Sequence, residues 1–286
     1  MPRIALLLTL VLSGCASTLS TLQTAETTPK GHAELHAGLG GYAPLGAIPH
    51  LAKAGELEAK GMQSLATTGN HPTPPTEERD ELLDAALSLA LQTPGPVWEV
   101  GGRFGLTDFW DVGARLSSND WSVDTKLRLF HGTISKDLAH AAAIDFRYCN
   151  VDVSNPVTDV LDFVNMGDFS RYDLELTGLY TLNAWNIVRL YGGPKIVRTS
   201  FHFDENAFKF GNDATAYAGL PPLVGSIDDH MFFYGGVAGI SGTYKRVSLY
   251  LELDGGWTHL SPEILGEKRA LSGVTLYPAV GLAVSI

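Results

Sequence analysis

The sequence predicts an all-β protein: a closed antiparallel β-barrel of about ten strands with a helical insertion after the first strand. In residues 97–117, apolar and charged side chains alternate on both sides of a short turn at Thr107 and Asp108. Side chains of a strand point to opposite faces in turn, so this segment is a hairpin with one apolar and one charged wall. The alternation recurs up to Ile286, and the lengths of the connections also alternate. Closure into a barrel would leave no unpaired strand edge.

The N-terminus has the pattern of a secretory signal peptide. One charged residue, Arg3, precedes an apolar run at residues 4–12, which is shorter than the roughly 20 residues of a transmembrane helix. The following Leu-Ser-Gly-Cys, ending at Cys15, resembles the lipobox of bacterial lipoproteins. The resemblance implies that residues 1–14 are removed and that the thiol of Cys15 carries a diacylglycerol, and Ala16 implies delivery to the outer membrane. An ordinary signal peptide cut nearby is the alternative.

Composition limits the partners and the covalent chemistry. The formal charge of −11 over 286 residues argues against a nucleic-acid partner. The chain has 2 Cys, so lipidation of Cys15 would leave Cys149 without a disulfide partner. Residues 15–30 are rich in Ser and Thr and have few large apolar side chains, which predicts a flexible tether before a barrel domain at residues 31–286.

A change of pattern interrupts the strands early in the barrel domain. The first strand is predicted at residues 31–42, and a helical insert at residues 49–93 follows it. Residues 51–66 read as one helix, and Thr76 is a good N-cap for a second, in which Leu87 and Leu91 belong to an apolar stripe. A small separate domain is the alternative interpretation of the insert.

The remaining strands follow one another along the chain. With residues 31–42 they make ten: 97–106, 109–117, 121–130, 139–151, 171–181, 187–201, 231–241, 246–257 and 271–286. Connections after even-numbered strands are short, at residues 107–108, 131–138, 182–186 and 242–245. Those after odd-numbered strands are long, at residues 43–96, 152–170, 202–230 and 258–270, except for the turn at 118–120.

This alternation of short and long connections resembles that of outer-membrane β-barrel proteins, which have short periplasmic turns and long extracellular loops. The resemblance implies that both termini are periplasmic, with the lipid of Cys15 in the inner leaflet. The chain departs from that family at its end, where Ile286 stands in place of the usual aromatic residue.

Alternation alone does not say which wall faces inward. Trp98, Trp110, Trp121 and Trp257 lie near strand ends, as the aromatic girdles of membrane barrels do. The charged wall is balanced in sign, so it could pair across strands inside a narrow lumen. The predicted lumen network is Glu99, Arg103, Asp111, Arg115, Asp124, Arg128, Asp145, Arg147, Asp173, Glu175 and Glu252. With the walls reversed, the chain would be a soluble barrel that holds an apolar ligand.

Two further patterns suggest chemistry. His32, Glu34 and His36 share a strand face and are a candidate metal set, for which a polar lumen wall is the alternative. His259 and Ser261 resemble the Ser/His pair of outer-membrane lipid hydrolases, although no acid stands at a matching position. There is no nucleophile elbow, phosphate loop or zinc motif, so no catalytic residue and no cofactor is predicted.

The sequence therefore predicts a lipid-anchored outer-membrane β-barrel with a structural role, or a binding role through its long loops. Its expected partners are outer-membrane lipid and an extracellular ligand, and the pattern predicts no oligomeric state. The alternatives are an anchored soluble barrel that binds an apolar ligand and a lipid-modifying enzyme of the outer membrane.

Overall fold

The computed structural model describes residues 18–68, 81, 84–85, 87–88, 91–118, 120–151, 169–185, 187–203, 227–264 and 267–286. The predicted signal peptide, Cys15 and Thr76 lie outside these residues. The described strands are β1 (Ala33–Pro44), β2 (Gly95–Thr107), β3 (Trp110–Ser117), β4 (Asp120–Ser135), β5 (Leu138–Val151), β6 (Phe169–Ala184), β7 (Val188–Phe203), β8 (Ile227–Tyr244), β9 (Val247–His259), β10 (Glu263–Ile264), β11 (Glu267–Lys268) and β12 (Gly273–Ser285).

Ten of these strands form a closed antiparallel barrel, as predicted. Each pairs with its neighbour in sequence, and β12 pairs with both β9 and β1 to close the ring. The register at closure places Leu39 opposite both Val280 and Trp98. The short strands β10 and β11 pair only with each other, in the connection between β9 and β12.

The two ends of the barrel differ. The turn rim, defined by Asp108, Asp137 and Lys245, carries the short connections and also the chain end at Ile286, whose backbone bonds to Ala33. The loop rim, at the opposite ends of the strands, carries the long connections. The first turn lies one residue later than predicted, at Asp108 and Phe109, because a register shift between Gly105 and Thr107 extends β2.

The insertion after β1 is helical where the structure describes it. Helix α1 covers Ile48–Thr68, and residues 81, 84–85, 87–88 and 91 are also helical. Leu87 and Leu91 are buried, and Gln92 donates to the carbonyl of Leu271 at 3.1 Å, so this segment packs over the loop rim. In the described part of the chain, no helix has both the length and the apolar character that crossing a membrane requires.

Candidate functional site

The charged wall of the barrel faces inward. Of the eleven residues predicted for the lumen network, ten are buried, and Arg128 is partly exposed. The opposite wall faces outward, where Trp98 and Leu251 are about half exposed (48% and 53%). The alternative of a barrel that holds an apolar ligand is therefore wrong, because the interior is lined with charges.

One group of lumen charges centres on Arg103. Its guanidinium lies 2.6 Å from Asp111 and 3.7 Å from Asp145, and it also forms an ion pair with Asp124. Arg115 lies 3.8 Å from Asp124. Because each charge has partners of the opposite sign, the group avoids the large cost of isolated buried ions.

A second group of lumen charges lies on β5, β6, β7 and β9. Arg147 pairs with Glu175, and Lys195 lies 3.6 Å from Glu175 and 2.5 Å from Asp254. Neither Lys195 nor Asp254 belonged to the predicted network. Asp254 is two residues after Glu252, so strand alternation could have found it, whereas the inward face of β7 mixes Lys195 with apolar residues.

The centre of the lumen is filled by the chain itself. Residues 18–30, which we call the lumen strap, run through the barrel between the two charge groups, and most of their side chains are buried. At one end, the backbone N–H of Thr18 donates to Asp120, the first residue of β4 at the loop rim, at 3.5 Å. At the other end, Lys30 bridges to Gly105 close to the turn rim.

Carboxylates of the wall accept hydrogen bonds from the strap backbone. The N–H groups of Thr21 and Leu22 donate to the two oxygens of Glu252 at 2.5 and 2.8 Å. The N–H of Thr28 donates to Asp111 at 2.8 Å. The hydroxyl of Ser20 donates to Glu99 at 2.8 Å. These charge-assisted bonds are among the strong ones in proteins.

Cations of the wall donate to the strap carbonyls. Arg147 donates to the carbonyls of Ser20 at 2.9 Å and Thr18 at 3.1 Å. Arg115 donates to the same carbonyl of Ser20 at 3.0 Å, and Lys126 to that of Thr24 at 3.1 Å. The wall thus satisfies backbone donors and acceptors that a buried segment without secondary structure would otherwise leave unpaired.

The lumen also has a shape that receives the strap. The side chain of Leu22 lies against Gly38 of β1 and Gly281 of β12, and a Cβ at Gly281 would come within 2.7 Å of it. A Cβ at Gly105 would clash with the carbonyls of Thr28 and Pro29. Leu22 has a φ of 44°, which costs about 1–3 kcal/mol in a residue with a side chain and is offset by these surroundings.

The expectation of a flexible tether is therefore wrong for the described residues 18–30. Their Ser and Thr content, which predicts flexibility in water, equally suits a lumen wall that offers many donors and acceptors. The space left beside Thr18 and Leu19 is only about 20 Å³, while about 430 Å³ remains open at the turn rim around Glu34, Arg128 and Arg189.

Two aromatic girdles surround the outside of the barrel. At the loop rim, the rings of Trp121 and Tyr148 are 5.8 Å apart, and those of Tyr148 and Tyr172 are 6.3 Å apart. At the turn rim, the rings of Phe130 and Tyr180 are 6.4 Å apart. From Tyr172 to Tyr180 the chain rises about 26 Å along β6. At the usual strand tilt this is about 20 Å of height, close to the apolar band of membrane barrels.

The other candidate sites do not assemble. A ring nitrogen of His32 lies 3.3 Å from the carbonyl oxygen of Ile286, and Glu34 lines the turn-rim cavity. His36 is half-buried in strand β1. Among the described residues, no three His, Cys, Asp or Glu side chains form a group that could hold a metal. Nδ1 of His259 lies 3.2 Å from Oγ of Ser272, a partner that sequence reasoning missed. Ser261 is exposed on the loop.

An apolar exterior between two aromatic girdles, with charges inside, is the arrangement of a β-barrel that spans an outer membrane. The fold and its two walls thus define the class of protein: an outer-membrane β-barrel, here with a filled lumen.

No protein-family model and no curated protein matches the chain. Among solved structures, Neisserial surface protein A has 10% identity and a TM-score of 0.33, over 88% of this chain and 95% of that one. The N-terminal β-barrel of Pseudomonas aeruginosa OprF has 8% identity and 0.32, over 90% and 98%. The outer-membrane protease OmpT from Escherichia coli has 7% and 0.39, over 93% and 100%. These TM-scores are below 0.5, so the assignment rests on the chain's own surface.

Proposed function

We propose that this protein is a lipid-anchored outer-membrane β-barrel whose lumen is closed by its own N-terminal segment. Its role is structural, or it binds an extracellular ligand through its long loops. The observation that supports this most directly is the lumen strap, because it occupies the path that a solute would take. Outer-membrane lipid is the partner of the apolar wall, and Cys15 carries the anchor.

The filled lumen argues against a transport role. A ten-stranded barrel is narrow to begin with, and here the charged walls hold the strap from both sides. The cavity of about 20 Å³ beside Thr18 has room for little more than one water molecule. A solute could pass only if the strap left the lumen.

The alternative of a lipid-modifying enzyme has much weaker support than a closed barrel. The hydroxyl of Ser272 donates to the carbonyl of Leu260, and its oxygen accepts from the N–H of the same residue. In the described residues, no carboxylate is bonded to His259. A nucleophile activated as in a triad needs a base that is itself oriented by a third group. The proposed function therefore contains no catalytic step.

The proposal predicts a closed pore and a lipid-dependent fraction. In planar bilayers, the purified full-length protein should show no stable conductance steps, and it should migrate differently on gels before and after heating. Metabolic labelling with an alkyne fatty acid should mark the protein, and Cys15→Ser should remove the label while the barrel stays in the outer membrane.

Two results would contradict the proposal. Steady conductance steps from the wild-type protein would show that the strap does not close the lumen. Release of the Cys15→Ser variant into buffer without detergent would show that the barrel is not itself embedded in lipid.

A further inference from the structure

The lumen strap has a direction. Thr18, its first residue, donates from its hydroxyl to Glu99 and from its backbone to Asp120 near the loop rim. Gly31, just after the strap, donates to the carbonyl of Gly105 near the turn rim. Between Glu99 and Gly105 the strap advances about 20 Å along β2. The chain therefore runs from the loop rim to the turn rim before β1 begins.

The described lumen leaves no space for a second segment of chain beside the strap. The cavity beside Thr18 holds about 20 Å³, and the strap with the inward side chains fills the lumen next to it. Three residues, the separation of Cys15 from Thr18, span at most about 11 Å. The distance along β2 from Glu99 to Thr107 is about 26 Å. Cys15 therefore cannot reach the turn rim.

We propose that the mature N-terminus emerges on the same face of the membrane as the long loops. Since the short turns of such barrels are periplasmic, this face is the outer one. The lipid on Cys15 then lies in the outer leaflet; its presence rests on the proposed function. This replaces the expectation that both termini are periplasmic, because Thr18 and Ile286 lie at opposite ends of the barrel.

This topology has a consequence for assembly. A diacylglycerol cannot pass through a lumen that retains about 20 Å³ at its narrow end. The pairing of β1 with β12 must therefore close around a strap that is already in place. The anchor and the long loops would then be displayed together, while the chain end at Ile286 remains periplasmic.

Three epitope insertions in the full-length protein test the topology. One lies between Ala16 and Ser17, one beside Ser261 in the loop after β9, and one beside Asp137 in the turn between β4 and β5. In intact cells, an antibody should detect the first two, and the third should require permeabilisation. Gel migration before and after heating identifies the variants that fold.

Detection of the Ala16 epitope only after permeabilisation, with the Ser261 epitope detected on intact cells, would overturn the proposal. Exposure of the Asp137 epitope alone on intact cells would also overturn it, because the loop face would then be periplasmic. If an insertion prevents folding, Ser17→Cys and Asp137→Cys probed with a membrane-impermeant maleimide give the same comparison. Failure of fatty-acid labelling would show that Cys15 carries no lipid, which contradicts the proposed function. The epitopes would still decide on which face of the membrane the N-terminus lies.

Discussion

At the residue scale, Glu252 shows how a buried charge can be satisfied inside the barrel. Its two carboxylate oxygens accept from the backbone of Thr21 and Leu22, and the hydroxyl of Tyr191 donates to it at 2.8 Å. A carboxylate with several donors is stable in a low-dielectric interior, where an unpaired one would be costly. The same side chain therefore accepts a hydrogen bond from the wall of the barrel and also holds the strap in place.

Loss of Arg147 should be costly, because it joins the strap to the wall through two carbonyls and pairs with a buried carboxylate. Arg147→Met would leave the carbonyls of Thr18 and Ser20 without these donors and Glu175 without its nearest cation. Breaking a buried pair on one side costs about 3–5 kcal/mol. We expect a loss of that size in the free energy of unfolding, measured by urea titration in phospholipid vesicles with tryptophan fluorescence.

The matched control is Arg246→Met, which changes an exposed residue in the turn between β8 and β9 and should be nearly neutral. Adding Glu175→Gln to Arg147→Met should recover part of the loss, because it removes the uncompensated charge. Equal stabilities for Arg147→Met and Arg246→Met would show that the strap contacts of Arg147 contribute little.

At the scale of elements, the strands and the strap differ in how far the sequence predicts them. The strands follow from local alternation, since a strand buries or exposes every second side chain. The interior position of the strap depends on residues far away, such as Glu252 and Lys195, whose partners are brought together only when the barrel closes. A Ser/Thr-rich segment has the same composition whether it lies in water or along a polar lumen.

Glycines of the wall provide a direct test of the strap's position. A side chain at Gly38 would meet Leu22, whereas one at Gly41 in the same strand would meet nothing within 4 Å. Gly38→Val should therefore displace the strap, and Gly41→Val should not. In planar bilayers, we expect conductance steps from the Gly38→Val protein and a silent Gly41→Val protein. Two silent, equally stable variants would argue that the strap is not seated as described.

At the scale of the whole molecule, the sequence predicts the existence of two walls but not which one faces inward. The lumen of the barrel is enclosed, so its charges can pair with one another and with the strap, as Arg103 and Arg147 do. The described outer wall carries mostly Leu, Val and aromatic side chains instead. Which wall faces inward is therefore decided only when the barrel closes around the strap.

Strand β9 offers a test of the membrane at two depths. Val247 lies at the turn rim and Leu251 near the middle of the apolar band, and both face outward with about half of their surface exposed (44% and 53%). In lipid, Leu251→Arg should destabilise the barrel by about 2–4 kcal/mol, and Val247→Arg by about 0–1 kcal/mol, because the cost of a charge falls towards the interface. Urea titration in phospholipid vesicles measures both. In water, a charge at either position would be harmless, so equal and small effects would mean that this wall does not face lipid. A cost that depends on depth would instead locate the apolar wall, and with it the two girdles, inside the bilayer.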